Sequence, residues 1–474
     1  MAIQPQQPVP CKPHFCQVEA DVSLPSLSEV VAGKPLAAIL GGNESVDRWS
    51  VFAAEPVEVF EFSLQQKDPF EKLFTALSKY QLDSASEKQI PSGVFSGGWI
   101  GYFGYELGRF IEKLPAAAVD DLNFPVIRLG FYDKAILFDH KRDQFTLVAL
   151  EYEGQYQTAG QKQEVLKSWI AQARTTPTPV PASADIERVS MDDHHSNISQ
   201  TQYADALAKI KQYIHDGETY QINFSQRFST DFTGRSVDLF HWQNRFNPSP
   251  YAAYLAWDDR AVVSASPELF LKVDGDSIVT RPIKGTRPRN PSLQDESPEN
   301  RNHFHDLVAS EKDQAELAMI VDLERNDLAR ICRPGTRSVS CSRQIESFPT
   351  VYHAVAVVQG QLSALPSPQR VIDILRASFP GGSITGAPKI RSMEIIDELE
   401  PTARSVYTGS IGWIGLNFDL CWNIAIRTIL VSEQKVTIQA GGGIVADSDP
   451  QAEWNETLTK ARALLAGVNA VNRI

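Results

Sequence analysis

The sequence predicts an α+β protein of large, mixed α/β content. Its 474 residues are 42% hydrophobic and 22% charged, which is ordinary globular composition and excludes collagen-like, coiled-coil and wholly disordered chains. Strand-like apolar runs alternate with segments of helical spacing such as 200–215 (QTQYADALAKIKQYIH). Asp274-Gly275, between two apolar-rich runs, is a strong hairpin signal. These observations favour strands and helices within one chain.

The charge balance and apolar runs exclude several classes of protein. There are 58 acidic and 45 basic side chains, and the net charge of -13 is the wrong sign for a general nucleic-acid binder. No apolar run approaches the roughly 18 residues of a membrane-spanning helix, and the start MAIQPQQPVP lacks a secretory signal. The five cysteines form no CxxC pair, so we expect reduced thiols. We therefore expect a cytoplasmic protein with no nucleic-acid and no membrane partner.

The clearest break in the chain is the segment 173–185 (ARTTPTPVPASAD), because alternating Pro, Thr and Ser sustain neither a helix nor a central strand. We predict an N-terminal domain at 1–172, a linker at 173–190 and a larger catalytic domain at 191–474. The other predicted elements are a hairpin around His140, a surface loop at 287–303, a helix at 306–322 and a last helix beginning near Pro450.

Glu268 and Lys284 fall at one end of the predicted hairpin. If its turn closes at Asp274-Gly275, Glu268 lies opposite Ile283 and beside Lys284. Adjacent strand residues point to opposite faces, so a bulge at Gly285 or a break in the strand must bring Lys284 to the Glu268 side.

Lys284 lies in the basic segment RPIKGTRPR, among Arg281, Arg287 and Arg289. A lysine that is desolvated near other cations has its neutral amine favoured, and a neutral amine is a nucleophile. The alternative interpretation is a basic surface loop, since most lysines are solvated.

Three glutamates on two predicted helices form a candidate metal set. Glu453 and Glu456 share one face of the last helix, with Lys460 one turn later, and Glu316 lies on the helix at 306–322. The glycines of AGGGIVADSDP allow close backbone approach just before a helix N-terminus, where N–H groups attract anions. Oxygen ligands suit Mg2+. The alternative is a solvated helix face.

Other candidates are less specific. The segment FPGGSITGAPK lacks the Lys-Ser/Thr of a phosphate loop after Gly386, so it is either a structural turn or a helix start that faces an anion. Arg427, which shares a predicted strand face with Asn423 and Ala425, is solvent-facing or a carboxylate clamp. His353, in the apolar YHAVAVV, is more typical of a core histidine than of a catalyst. The residues alone thus predict a Mg2+ site for a small anion.

Five ordered motifs carry a resemblance to a known enzyme family. Along about residues 190–470 they are RPIKGTRPR, KDQAELAMIVDLERNDLARI, FPGGSITGAPKIRSMEIIDELEP, YTGSIGWIG and AGGGIVADSDPQAEWNET. This set resembles the chorismate-binding domain shared by anthranilate, isochorismate, salicylate and aminodeoxychorismate synthases. The N-terminal part is similar, more weakly, to the companion domain of the anthranilate and aminodeoxychorismate enzymes through LPSLSEV, GGWIGYFGYE and the AEP at Glu55. The resemblance implies the chorismate-utilising fold, with two packed antiparallel β-sheets flanked by helices.

Two positions discriminate among the members of this family. Anthranilate synthases typically have Ala where this chain has Lys284, and the lysine is typical of aminodeoxychorismate synthases. The isochorismate and salicylate enzymes activate water with a lysine at the position of Gln221, and Gln cannot serve as that base. The resemblance therefore implies the aminodeoxychorismate branch; the alternatives are an anthranilate synthase component and a non-catalytic chorismate-binding subunit.

The resemblance also implies a mechanism. Chorismate is a dianion, so Mg2+ is expected between it and Glu316, Glu453 and Glu456. Lys284 would attack C2 as the C4 hydroxyl leaves with a proton from Glu268, and ammonia would then add at C4 and expel the lysine. The residues that would hold the carboxylates and ring are Thr385, Gly386, Tyr407, Gly409, Arg427, Gly442, Gly443 and Lys460, and His353 matches a histidine of the anthranilate enzymes.

The ammonia is expected from a partner, a glutamine amidotransferase subunit, because no cysteine here has the glycine-rich surroundings of a glutaminase nucleophile.

Part of the family also binds tryptophan in the N-terminal domain. Feedback-regulated members have Leu-Leu-Glu-Ser where residues 39–42 of this chain are Ile-Leu-Gly-Gly, so the regulatory side chains are absent. The positions that would line such a pocket are Arg48, Trp49, Pro250, Tyr251 and Ala252.

Overall fold

The computed structural model describes residues 8–46, 48–83, 85–86, 90–183, 189–191, 194–290 and 293–472. Residues 184–188 of the predicted linker and 291–292 of the predicted loop lie outside the described residues.

The strands in order are β1 Val9–Val18, β2 Ala38–Leu40, β3 Trp49–Ala53, β4 Glu58–Phe62, β5 Tyr80–Leu82, β6 Gly98–Phe103, β7 Ile127–Tyr132, β8 Lys134–Asp139, β9 Gln144–Tyr152, β10 His195–Ser196, β11 Gln221–Asp231, β12 Tyr251–Trp257, β13 Arg260–Ser266, β14 Leu269–Asp274, β15 Ser277–Arg281, β16 Ile283–Pro288, β17 Ser338–Ser347, β18 Val351–Gln361, β19 Gly386–Ala387, β20 Ser410–Gly415, β21 Leu420–Asn423, β22 Thr428–Ser432 and β23 Lys435–Ile444.

The α-helices are α1 Leu24–Ala32, α2 Pro69–Ser78, α3 Ala159–Thr175, α4 Gln200–His215, α5 Ser236–Phe246, α6 Pro298–Ala309, α7 Glu311–Ala329, α8 Pro368–Ser378, α9 Lys389–Leu399 and α10 Pro450–Asn472. Short 3-10 helices lie at Tyr105–Phe110 and Gly382–Ile384.

The strands form two large sheets, as the resemblance to the chorismate-utilising fold implied. The first has the order β10-β11-β23-β22-β13-β12-β2-β3-β8-β9-β1-β5, with β19 paired to β11. The second has the order β16-β18-β15-β14-β21-β20-β6-β7-β4, with β17 paired to β18. Among the strands of the described ranges, every pair is antiparallel except β1 with β5.

Alternate side chains of the first sheet point into two different apolar layers, one on each face. Ala38 and Val51 point into the layer between the sheets, where Ile100 of the second sheet joins them. Ile39 and Phe52 point to the opposite face, which α1, α3, α5 and α10 cover. The far face of the second sheet packs against α2, α7 and α8. Both sheets are therefore buried on two sides, with helices outside.

Strands from both sides of the predicted linker share both sheets. Leu40 of β2 lies opposite Ala253 of β12, and Ile100 of β6 lies opposite Trp413 of β20. Backbone hydrogen bonds therefore join the two parts of the chain. The division into 1–172 and 191–474 stays a prediction.

Several predicted elements are confirmed. The helix at 200–215 has those bounds, β8 and β9 form the hairpin around His140, and α10 begins at Pro450. Asp449 caps α10, because its Oδ1 accepts a hydrogen bond of 2.8 Å from the Ala452 N–H.

Two predictions are corrected by serine caps. The predicted helix at 306–322 is two helices, because Ser310 ends α6 and its hydroxyl accepts from the Asp313 N–H to start α7. The predicted loop at 287–303 is shorter than expected, since β16 reaches Pro288 and Ser297 caps α6 from Pro298 onward.

No helix within the described ranges has the length and apolarity needed to cross a membrane. The five cysteines, all of them described, form no disulfide.

Candidate active site

Lys284 lies beside the pair of strands β11 and β23. A Cβ atom placed on Gly443 would stand 3.6 Å from Lys284 Nζ and only 2.1 Å from Gln221 Nε2. Any larger residue at 443 would therefore push Gln221 away, and glycine is what allows the lysine, the amide and the β23 backbone to meet. Gln221 Nε2 also lies 3.4 Å from Glu316 Oε2, which links this strand pair to α7.

The hairpin that carries Glu268 and Lys284 begins with the predicted register and then departs from it. Val273 lies opposite Ile278, but a bulge further along β14 shifts the pairing. The strand then breaks at Pro282, and a second irregularity follows at Gly285, where φ is 92°. The sequence analysis required a bulge or a strand break to bring Lys284 to the side of Glu268, and the structure has both. Lys284 and Glu268 come close enough for their charges to interact.

Glu268 is a buried carboxyl, 4% exposed. Ser383 Oγ donates to its Oε1 at 2.5 Å. Burial raises the pKa of Glu268 to about 7, against the lowering effects of Ser383 and of the Lys284 ammonium. Near neutral pH the carboxyl can therefore both give and take a proton.

Lys284 has its pKa shifted in the opposite direction. Burial lowers the pKa of the Lys284 ammonium, although the carboxylates of Glu316 and Glu268 act to raise it. The side chain keeps partial contact with solvent while protein surrounds its ammonium. The neutral, nucleophilic form of its amine is therefore more populated than in a solvated lysine.

The predicted metal ligands approach the same region from two helices. Glu453 of α10 is 5% exposed and accepts from Ser448 Oγ at 2.7 Å, whereas Glu456 is half exposed and pairs with Lys460 at 2.6 Å. A Cβ atom on Gly442 would stand 3.1 Å from Glu453 Oε2 and 3.5 Å from Glu456 Oε1. Gly442 therefore packs against both carboxylates.

Two lysines, Lys312 and Lys460, lie beside these glutamates and offset part of their negative charge. Lys312 of α7 places its Nζ 3.9 Å from Glu316 Oε1 and 4.0 Å from Glu453 Oε1. Burial, and then the charge of Glu456, raises the pKa of Glu453. Burial also acts to raise the pKa of Glu456, but Lys460, Lys312 and Lys284 together outweigh burial and lower that pKa.

The donor chemistry fits a divalent cation. Carboxylate oxygens are the ligands that Mg2+ prefers, and Glu316 and Glu453 already share one cation, the Lys312 ammonium. Across the described part of the chain, no three His, Cys, Asp or Glu side chains stand ready to enclose a metal. A cation here would need its ligands to move closer together.

Arg427 does not lie on a strand face, which corrects the sequence prediction. Strand β21 ends at Asn423, β22 begins at Thr428, and Arg427 between them has a φ of 50°. Burial lowers the pKa of its guanidinium. It makes no ion pair or side-chain hydrogen bond with the described residues, so the group is free to bind a carboxylate.

His353 lies close enough to this guanidinium for its charge to act on the imidazole. It is 1% exposed, and its Nδ1 lies 2.8 Å from Thr286 Oγ1, while its Nε2 has no partner among the described residues. Burial, together with the charge of Arg427, lowers the pKa of His353 to about 3. The imidazole is therefore neutral at physiological pH.

The loop before α9 is held by backbone contacts. Thr385 Oγ1 donates to Gly381 O at 3.0 Å, and a Cβ atom on Gly386 would stand 2.0 Å from Gln221 O. A Cβ atom on Gly409 would stand 2.1 Å from Phe103 O. Close packing thus explains why both positions are glycine, and binding of a substrate by either one stays a prediction. Tyr407 is buried nearby, and burial raises its pKa.

The structure adds residues that the sequence reasoning missed. Ser383 had no recognisable signal within the glycine-rich loop. Lys312 did have one, because it lies four residues before Glu316 and so on the same face of α7, and Glu324 lies eight residues after Glu316 on that helix. Thr280 Oγ1 donates to Glu324 Oε2 at 2.9 Å, and burial followed by the charge of Glu268 raises the pKa of Glu324 well above its ordinary value.

The positions predicted for a tryptophan pocket lie on either side of β2. Arg48 stands 5.4 Å from the ring centroid of Trp49 at the start of β3, and the Gly41 N–H donates to Ala252 O at 2.7 Å beside Pro250 and Tyr251. The structure brings these segments to neighbouring strands. Ligand binding there stays a prediction.

Comparison with known proteins identifies the family. The family model described as chorismate binding enzyme matches residues 43–466. Aminodeoxychorismate synthase component 1 of Escherichia coli K12 is 37% identical over 398 residues, covering 84% of this chain and 82% of that protein. Anthranilate synthase component 1 of Streptomyces coelicolor is 38% identical over 385 residues, covering 79% and 73%.

The crystal structure of anthranilate synthase component I from Streptococcus pneumoniae has a TM-score of 0.74 at 29% identity, covering 89% of this chain and 93% of that one. The fold, the matched family model and these relatives all agree, and this chain belongs to the chorismate-binding enzyme family.

Proposed function

We propose that this chain is the chorismate-aminating component of an aminodeoxychorismate synthase, which converts chorismate and ammonia to 4-amino-4-deoxychorismate and water. The observation that carries the proposal is the pairing of Lys284, whose pKa is lowered, with Glu268, whose pKa is raised to about 7. A nucleophilic amine next to a carboxyl that can donate a proton is what displacement of a hydroxyl requires.

Lys284 and Glu268 act in sequence. The neutral amine forms a bond to C2 of chorismate, the ring double bond shifts, and the C4 hydroxyl leaves as water with the proton of Glu268. Ammonia then bonds to C4, the C2–N bond breaks, and Glu268 takes up the excess proton. Aminodeoxychorismate synthase relatives, at 37% identity for Escherichia coli K12, support this branch of the family.

Mg2+ is proposed at Glu316, Glu453 and Glu456, where it would offset the charge of the substrate carboxylate. Arg427, which has no carboxylate partner among the described residues, is suited to the second carboxylate of chorismate. Lys460 is held by Glu456 at 2.6 Å and by Gly441 O at 2.9 Å, so it offers a positive charge fixed beside the proposed metal ligands.

The test is product identification with the purified full chain, chorismate, ammonium and Mg2+. We expect aminodeoxychorismate, detected by mass, and p-aminobenzoate only after a lyase is added. Anthranilate fluorescence without a lyase would assign the chain to the anthranilate branch, to which other relatives belong. The glutaminase partner and the cytoplasmic location stay predictions.

Lys284→Ala separates this mechanism from mere binding of chorismate. We expect the rate to fall by about a hundredfold or more, as for loss of a covalent catalytic group, and we expect the substrate-sized adduct on the peptide of Lys284, seen by mass spectrometry without ammonia, to disappear. Lys272→Ala, at the turn end of the same hairpin, is the matched control and should retain the wild-type rate. An undiminished rate in Lys284→Ala would show that the amine is not the nucleophile.

A further inference from the structure

The two lysines beside the candidate metal ligands are held differently. Lys460 donates to Glu456 and to a backbone carbonyl at hydrogen-bond distances. Lys312 stands at 3.9 Å from Glu316 and 4.0 Å from Glu453, so it reaches both carboxylates without a hydrogen bond to either. Its side chain is 60% exposed. Lys312 therefore lies loosely between two carboxylates, whereas Lys460 is held in place by hydrogen bonds.

Helix stability does not explain the position of Lys312. Within a helix, an ion pair at i,i+4 is favourable when the glutamate precedes the lysine, as Glu456 precedes Lys460. Lys312 precedes Glu316, which is the weaker orientation. Its second contact crosses from α7 to α10, where Glu453 is almost fully buried. The lysine therefore acts between the two helices.

A buried carboxylate such as Glu453 needs a compensating charge whenever no metal is present. We propose that Lys312 is the internal counter-ion of the metal site: its ammonium compensates Glu316 and Glu453 in the metal-free protein and swings into solvent when a divalent cation binds. This inference rests on the Mg2+ site of the proposed function. A long, flexible and exposed lysine stem suits a group that must leave its place.

A bound cation and the ammonium cannot occupy the space between the same two carboxylates without repulsion. Removal of the ammonium should therefore tighten metal binding. Lys312→Met keeps the length of the side chain and removes its charge, and we expect binding to tighten by about two- to fivefold, which is the range for one exposed charge acting on close neighbours.

The experiment is a titration of the full chain with Mn2+ in the absence of chorismate, with free Mn2+ measured by electron paramagnetic resonance. Lys312→Arg restores a positive charge and should bind Mn2+ as the wild type does. Lys167→Met removes another exposed lysine that pairs with a glutamate in its own helix, and it controls for net charge.

Tighter binding in Lys312→Met alone supports the proposal. Equal or weaker binding in Lys312→Met overturns it, and weaker binding would mean that the ammonium instead holds the ligands in place. If neither the wild type nor Lys312→Met binds Mn2+, the metal site and its counter-ion both fall. Product identity and the Lys284 adduct are measured separately, so failure of the aminating mechanism can be told apart from failure of this inference.

Discussion

Glu268→Gln should stabilise the folded protein above neutral pH and change it little at pH 5. Burial raises the pKa of Glu268 from 4.5 to about 7, so the folded state holds this proton more tightly than the unfolded chain does. Below pH 4.5 both states are protonated, and the group has no effect on stability. Between these pKa values only the unfolded chain ionises, and the free energy of unfolding falls as pH rises.

Each pH unit across this interval corresponds to about 1.4 kcal/mol, so the cost of the buried carboxyl reaches about 3 kcal/mol above pH 7. Glutamine stays neutral and avoids that cost, and its amide oxygen can still accept from Ser383. With an unfolding entropy of about 2.1 cal/mol/K per residue and 474 residues, the gain corresponds to a rise in Tm of about 3 °C at pH 8.

The assay is thermal unfolding of wild type and variant at pH 5 and pH 8 without chorismate. Glu19→Gln changes an exposed glutamate and is the control. The difference between its Tm and that of the wild type should be the same at pH 5 and at pH 8. The same Tm change at both pH values in Glu268→Gln, or no change at pH 8, would refute the view that burial keeps this carboxyl neutral.

Two further substitutions test the surroundings of the site. His353→Gln should lower kcat without altering the shape of the pH–rate profile, because a pKa of about 3 keeps the imidazole neutral from pH 5 to 9; a profile that loses a limb in this variant would contradict that. Asp449→Ala removes the cap of α10 and should lower the free energy of unfolding by about 1 kcal/mol, which corresponds to a fall in Tm of about 1 °C. Asp449→Asn can still cap the helix and should recover the wild-type Tm. Equal Tm values for all three proteins would show that the cap contributes nothing.

Much of the fold could be read from local patterns. The bounds of α4, the start of α10 and the turn at Asp274-Gly275 follow from capping residues, helical spacing and turn chemistry, which act over a few residues. The helix at 306–322 was mispredicted, because the helical periodicity of the segment concealed the cap at Ser310.

The candidate site was only partly predictable. Glu453, Glu456 and Lys460 share a helix face by spacing alone, and the structure keeps them there. The approach of Lys284 to Glu268 was not predictable, because it depends on a bulge in β14 and on the break at Pro282.

Local patterns along the chain are enough to indicate most helices and turns, and the ordered motifs are enough to indicate the enzyme family. Three features of the site arise only on folding: Lys312 lies between α7 and α10, Arg427 lies off the strands, and Glu268 is buried enough to keep a proton near neutral pH. Caps, helices and turns depend on residues that are near one another along the chain. Desolvation and charge pairing depend on residues that only folding brings together.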